Sequence, residues 1–216
     1  PGRPTPQPPV ASLPRTWRSP TYGHYVFRSG WSGGDEFVTQ VWLKAHRVGG
    51  WNSGNAGTFR LAGLGHRWAV GPHDRNRSRF EENVVLLPEN PEIIEGACGR
   101  ATYVQTDADG SGVVSIDLND VYAARPERKV RRYSSYGHLR NPWGFDDSGI
   151  TGMRSVGVDY SGRAGAPCLL AVIDDIDGGG RKVWTWQLPD ADLERTTVEG
   201  SAFTIRKPDG ATLRGT

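Results

Sequence analysis

Residues 36–45, EFVTQVWLKA, put Phe37, Thr39, Val41 and Leu43 on one side of an extended chain and Val38, Gln40 and Trp42 on the other. That period of two, in a run rich in β-branched and aromatic residues, predicts a strand with one face buried. Upstream, Tyr22–Arg28 (YGHYVFR) reads the same way, and the two are joined by the Gly-rich turn SGWSGGD. Downstream, Thr58–Leu64 and Trp68–Val70 read as a further pair folded back around Gly65. Working outward, short strands are predicted at Val84–Leu87, Ile93–Glu95, Ala101–Thr106, Gly112–Leu118, Gly152–Tyr160 and Cys168–Asp174. Others follow at Lys182–Leu188, Val198–Glu199, Phe203–Arg206 and Ala211–Leu213. Gly, Asp and Asn punctuate the series, and no long amphipathic helix is legible. The prediction is an all-β chain: an antiparallel β-sandwich of two packed, twisted sheets without substantial helices.

Composition agrees. With 29 Gly and 15 Pro in 216 residues, and no G-X-Y period, a coiled coil, a helical bundle and a collagen are all excluded. No run approaches the ~20 apolar residues of a membrane span, so no membrane partner is expected. The net charge is +2 and, apart from Arg125–Arg132, the basic residues are dispersed, which gives no reason to expect nucleic acid. Cys98 and Cys168 are far apart in sequence: they either form one disulfide in an exported protein or are two buried thiols. The chain starts at Pro1 without Met or a signal segment, so a piece of a larger protein is expected.

Residues 1–20 carry seven prolines and read as an extended linker or arm, with folded structure expected from about Tyr22. Residues 21–216 are predicted to be a single sandwich domain. Within it, residues 125–148 show no strand signal and form a long surface loop containing His138, Arg140, Trp143 and Phe145.

Few motifs carry chemistry. Asp107-Ala-Asp109-Gly-Ser111-Gly112 has the oxygen spacing of a calcium loop, but Leu118 stands where the closing Glu belongs, and a hairpin turn explains the residues as well. Asn76-Arg-Ser78 fits a glycosylation triplet, Gly63-Leu-Gly65 lacks the third glycine of a dinucleotide fingerprint, and the five histidines show no ligand pairing. Of the eight Trp, Trp42, Trp68, Trp184 and Trp186 lie in strands and read as packing. Trp51 and Trp143 lie among Gly, Asn, Pro and charged residues. There a Trp either anchors a loop or offers a flat face to a sugar, with polar forks beside it for hydroxyls and carboxylates.

Trp51–Val70 (WNSGNAGTFRLAGLGHRWAV), the preceding YVFRSGWSGGDEFVTQVWLKA, and Glu82-Asn83-Val-Val-Leu-Leu together resemble the heparinase II/III-like polysaccharide lyases. Ser115–Tyr122, Met153–Val158 and Leu170–Ile176 follow in that family's order, so the resemblance runs from about Tyr22 to Leu188. It implies that this chain is the C-terminal β-sandwich of a two-part enzyme whose helical toroid provides most catalytic residues. Such enzymes cleave acidic, uronate-containing polysaccharides by β-elimination, which needs a carboxylate clamp, a base and an acid in one cleft.

This sequence departs from the family at the sandwich's own functional turn. Where the family often carries His-x-His-x-Asp, the matching positions are Trp51, Ser53 and Asn55. The resemblance also implies a structural metal in several members, and its matching positions are Ser53, Gly71 and Glu82. Ser and Gly complete no zinc site, so no metal and no cofactor is expected. No residue of this chain is assigned a catalytic role, and the chain alone is expected to be inactive. The substrate-facing candidates are Trp51, Asn52, Asn55, Arg140 and Trp143. An extracellular or periplasmic location goes with this reading; the alternative is a stand-alone carbohydrate-binding or structural sandwich module.

Overall fold

The alternation predicted for residues 36–45 is the one observed: Phe37, Thr39, Val41 and Leu43 are buried, while Val38, Gln40 and Trp42 are half-buried. The computed structural model describes residues 13–31, 33–45, 55–72, 79–90, 98–123 and 147–216. Five antiparallel strands, β1 (Thr16–Ser19), β2 (His24–Arg28), β3 (Val38–Trp42), β4 (Thr58–Gly63) and β5 (His66–Ala69), form the first sheet in sequence order. A two-residue turn joins β4 to β5, with Leu64 at φ 54° and Gly65 at φ 71°. Two consecutive left-handed residues match the twist of the flanking strands, and Gly65 takes this conformation at no steric cost.

After the short β6 (Val85–Leu86), a second antiparallel sheet is built from β7 (Arg100–Thr106), β8 (Gly112–Asp117), β9 (Thr151–Asp159) and β10 (Leu169–Asp177), in the order β10-β9-β8-β7. Its inward residues Val114, Ile116, Val156 and Val158 share one buried cluster with Tyr25, Phe27, Val41, Phe59 and Leu61 of the first sheet. Tyr160 at the end of β9 crosses the interface, its hydroxyl donating to Thr39 Oγ1 at 2.8 Å. Gly112 lies so close to the Phe27 ring and to Gln105 O that a Cβ there has no room. This is the β-sandwich the sequence predicted.

β11 (Val183–Trp184) pairs with β6, and a meander of β12 (Thr196–Glu199), β13 (Ala202–Arg206) and β14 (Thr212–Gly215) closes the chain. The meander is docked by fully buried Ile205 and by Lys207, whose ammonium donates to Arg67 O and pairs with Asp192. Helical structure among the described residues is limited to 3-10 turns at Arg79–Glu81, Asn119–Tyr122 and Asp190–Arg195, and none is long and apolar enough to cross a membrane.

One expectation needs correction. The sheet does not begin at Tyr22 but at Thr16, because β1 pairs along its whole length with β2 inside the stretch read as an arm. Pro14 and Pro20 flank Thr16–Ser19 without interrupting it, and an edge strand tolerates prolines at its ends. The strand expected at Ile93–Glu95 and most of the loop expected at 125–148 lie outside the described residues.

The Asp107–Gly112 stretch is a hairpin turn between β7 and β8. The Asp107 N–H donates to Ser111 O at 2.8 Å, and Asp109 Oδ1 accepts the Ser111 N–H at 2.9 Å, so these groups serve the turn itself. Cys98 and Cys168 are not joined to each other. Burial pushes the Cys168 thiol up to about 12.

Candidate functional site

Along β4, Phe59 and Leu61 point inward, which leaves Thr58 and Arg60 on the opposite face. There they meet Glu82 and Asn83, which follow the 3-10 turn at Arg79–Glu81. Glu82 is 2% exposed and its Oε2 accepts from Arg60 Nη2 at 2.5 Å and from the Thr58 hydroxyl at 3.0 Å. Arg60 Nη1 donates to Thr58 Oγ1 at 2.7 Å and to Phe59 O at 2.9 Å. The carboxylate that the resemblance places among metal ligands is therefore the partner of an arginine.

Asn83 is fully buried and knits three segments. Its Nδ2 donates to Phe59 O and to Val70 O, both at 2.8 Å, and its Oδ1 accepts the Gln187 N–H at 2.5 Å. Behind it, Arg154 enters from β9 with the inward parity of Val156 and Val158. Its Nη1 donates to Gly57 O at 2.8 Å and to Asn83 O at 2.7 Å, and its other nitrogens fork onto Asp174. Arg79 Nη1 donates to Ala56 O at 3.2 Å, the Gly57 N–H to Trp42 O at 2.7 Å and the Thr58 N–H to Asn55 O at 3.1 Å. The turn at residues 55–57 is thus held by two guanidiniums and by its own backbone.

Burial raises the pKa of Tyr122, opposed by the charges of Arg79 and Arg154, so this buried phenol stays neutral beside two cations. Its hydroxyl and Asn55 Oδ1 are buried and have no hydrogen-bond partner among the described residues.

The structure brings three of the sequence-derived positions, Asn55, Gly71 and Glu82, to one corner of the first sheet. Trp51, Asn52, Ser53, Arg140 and Trp143 lie outside the described residues. Sequence reasoning did not single out Thr58, Arg60, Arg79 or Asp174. For Arg154 the signal existed: an arginine at inward parity in an apolar strand must find an anion.

Among the described residues, the donor set at this corner does not fit a metal. Gly71 supplies no ligand, and a Cβ built on it would overlap the Arg60 guanidinium. Among the described residues no three His, Cys, Asp or Glu side chains are placed to hold a metal ion. What the corner does chemically is fix backbone: Arg60 is paired with Glu82 and Arg154 with Asp174, and the carbonyls of Ala56, Gly57, Phe59 and Asn83 are each given a donor.

No family model matches the chain, and no curated protein matches it. Solved structures do, two of them heparinase III. The heparinase III BT4657 gene product with methylated lysines superposes with a TM-score of 0.58 at 16% identity, over 92% of this chain and 27% of that one. A second structure of heparinase III gives a TM-score of 0.55 at 12% identity, over 88% of this chain and 27% of the other. The chain spans about a quarter of the length of the heparinase III chains it matches, and its architecture is a heparinase III-like β-sandwich.

Proposed function

We propose that this chain is the β-sandwich portion of a heparinase II/III-like polysaccharide lyase, that it packs against a helical toroid in the parent protein, and that it is not catalytic alone. The observation that carries the reading is the asymmetric coverage: 92% of this chain matches 27% of a heparinase III chain. The architecture of the corner supports it. β-Elimination needs a base, an acid and a carboxylate clamp converging on one sugar, whereas Glu82, Arg60, Asn83 and Arg154 are engaged in holding the protein's own backbone and charges. The parent's substrate in this reading is a uronate-containing polysaccharide. The substrate-facing candidates in this reading are Trp51, Asn52 and Asn55, around the turn that Arg79 and Arg154 anchor at residues 55–57, with Arg140 and Trp143 from the 125–148 stretch.

The test is incubation of the pure chain, and separately of the full-length parent, with heparin, heparan sulfate, chondroitin sulfate, hyaluronan and alginate, following the absorbance of unsaturated uronate. Turnover by the parent and none by the isolated chain is expected. Turnover by the chain alone overturns its inactivity, and a parent inert toward all five overturns the lyase reading.

One observation favours a second reading, a carbohydrate-binding module. The outer face of the four-stranded sheet carries an open trough floored by Val113, Gly157 and Ala171 and bordered by Gln105, Asp107, Asp159 and Arg163. Its volume, about 670 Å³, lies within the span of small-molecule sites. With Asp109 also in the lining, three carboxylates against one guanidinium favour neutral sugars over uronates. Glycan-array binding by the intact chain that is abolished by Gly157→Trp supports this reading; no binding to any neutral glycan removes it.

A further inference from the structure

Arg60 and Gly71 are separated by the β4–β5 hairpin, yet one guanidinium fills the space where the other's side chain would be. A Cβ on Gly71 would overlap Nη2, Cζ and Nε of Arg60. Gly71 has no left-handed backbone to account for its identity. From that seat the guanidinium reaches Glu82 Oε2, Thr58 Oγ1 and Phe59 O.

We propose that the Arg60 guanidinium is the resident cation of this corner, tethered beside Gly71 and Glu82, the positions that match ligands of a structural metal in several members of the family the chain resembles. Residue 71 is glycine because that cation needs the volume of a side chain. The reference to a metal rests on the family reading; the coupling of Arg60 to Gly71 rests on the geometry alone. A carboxylate buried like that of Glu82 must have a compensating cation. Arginine supplies a permanent one, planar and with several donors in fixed directions, so a single group can bind an anion, a hydroxyl and a carbonyl together. The two solutions exclude each other. A ligand side chain at residue 71 would displace the guanidinium, and the guanidinium blocks and repels a divalent ion beside Glu82. The corner that anchors residues 55–57 is therefore independent of metal supply.

The test is a double-mutant cycle read by urea and thermal unfolding of the full chain. Gly71→Ala and Arg60→Ala are each expected to lower Tm by several degrees, the first through overlap and the second by leaving Glu82 uncompensated. In the double variant the Gly71→Ala step is expected to cost little, because the occupant of the space has gone. Arg60→Lys is expected to lose most of the stability lost by Arg60→Ala, since an ammonium does not span the three acceptors. Should Arg60→Ala not fold, Arg60→Ala/Glu82→Leu removes both charges and empties the space, and the Gly71→Ala step is measured on that background. Costs that simply add overturn the shared seat. Elemental analysis and zinc titration complete the test: no stoichiometric uptake and an unchanged Tm with chelator are expected. One zinc per chain that disappears in Glu82→Leu overturns the cation assignment. Activity of the parent bears on neither outcome.

Discussion

Arg154 and Asp174 stand opposite each other in the register of β9 and β10 and are joined at two points, Nε to Oδ1 at 2.6 Å and Nη2 to Oδ2 at 2.9 Å. Because Nη1 of the same guanidinium also holds Gly57 O and Asn83 O, one side chain that is 1% exposed ties the second sheet to both turns at the corner of the first. Arg154→Met is expected to destabilise the chain by about 3–5 kcal/mol, since breaking a buried pair leaves its carboxylate uncompensated. Arg154→Met/Asp174→Leu should recover part of that loss. Urea midpoints at an unchanged m-value are the measurement, and a single-variant cost below about 1 kcal/mol contradicts the account.

His24 gives the stability a pH dependence. Its ring stacks on Trp42 at 3.7 Å between centroids, with Trp17 edge-on at 5.2 Å, and burial lowers its pKa below the usual 6.5. The folded state then binds fewer protons than the unfolded state below 6.5, so stability falls as pH drops through that value. His24→Phe keeps a stacked ring and removes the titration. Tm of the wild type should decline more than that of the variant between about pH 7.5 and 5.5, and parallel declines would refute the assignment.

Cys168 is expected to resist alkylation. With its thiol pushed up to about 12, by burial first and the charge of Asp159 second, almost none of it is thiolate at neutral pH. Iodoacetamide treatment near pH 8, read by peptide mass spectrometry, should leave Cys168 intact in the folded chain and modify it in urea. Stoichiometric labelling of the native protein contradicts this.

The C-terminal meander should open ahead of the sandwich once its buried ammonium is removed. Lys207 Nζ donates to Arg67 O at 2.7 Å, pairs with Asp192 and lies 4.8 Å from the Trp68 ring centroid. Lys207→Met leaves the Asp192 carboxylate buried without that partner. Hydrogen exchange is expected to accelerate across β12–β14 by at least about tenfold while β8 and β9 keep their protection. Uniform acceleration would mean that the meander is not a separate unit of opening.

Much of the architecture was legible because local period and burial agree. EFVTQVWLKA alternates as its burial does, and the turn at Gly65 follows from a residue that accepts positive φ. Thr16–Ser19 was hidden by prolines that lie beside the strand rather than in it. The corner was less legible, for a topological reason. Arg60 alternates with Phe59 and Leu61, so in sequence it reads as an ordinary outward arginine. Its anion is 22 residues away and reaches it only after the β4–β5 hairpin has folded. The identity of Gly71 acquires a reason only when that guanidinium is in place. Trp51, Asn52, Arg140 and Trp143 sit in stretches with no strand period, where sequence names candidates but does not position them.

β10 is the last strand of its sheet among the described residues, and its C-terminal end reads Asp174-Asp175-Ile176-Asp177. An end strand offers unpaired peptide groups to any passing chain, and such templates seed fibres. Here a strand adding itself to that end must bring its own backbone against the exposed carboxylates of Asp175 and Asp177, Asp174 being held by Arg154, while the apolar Ile173 lies at the middle of the strand and Leu169 at its other end. Solubility at this edge is therefore a property of charge. Neutralising Asp175 and Asp177, by acid or by substitution, removes that protection from the margin.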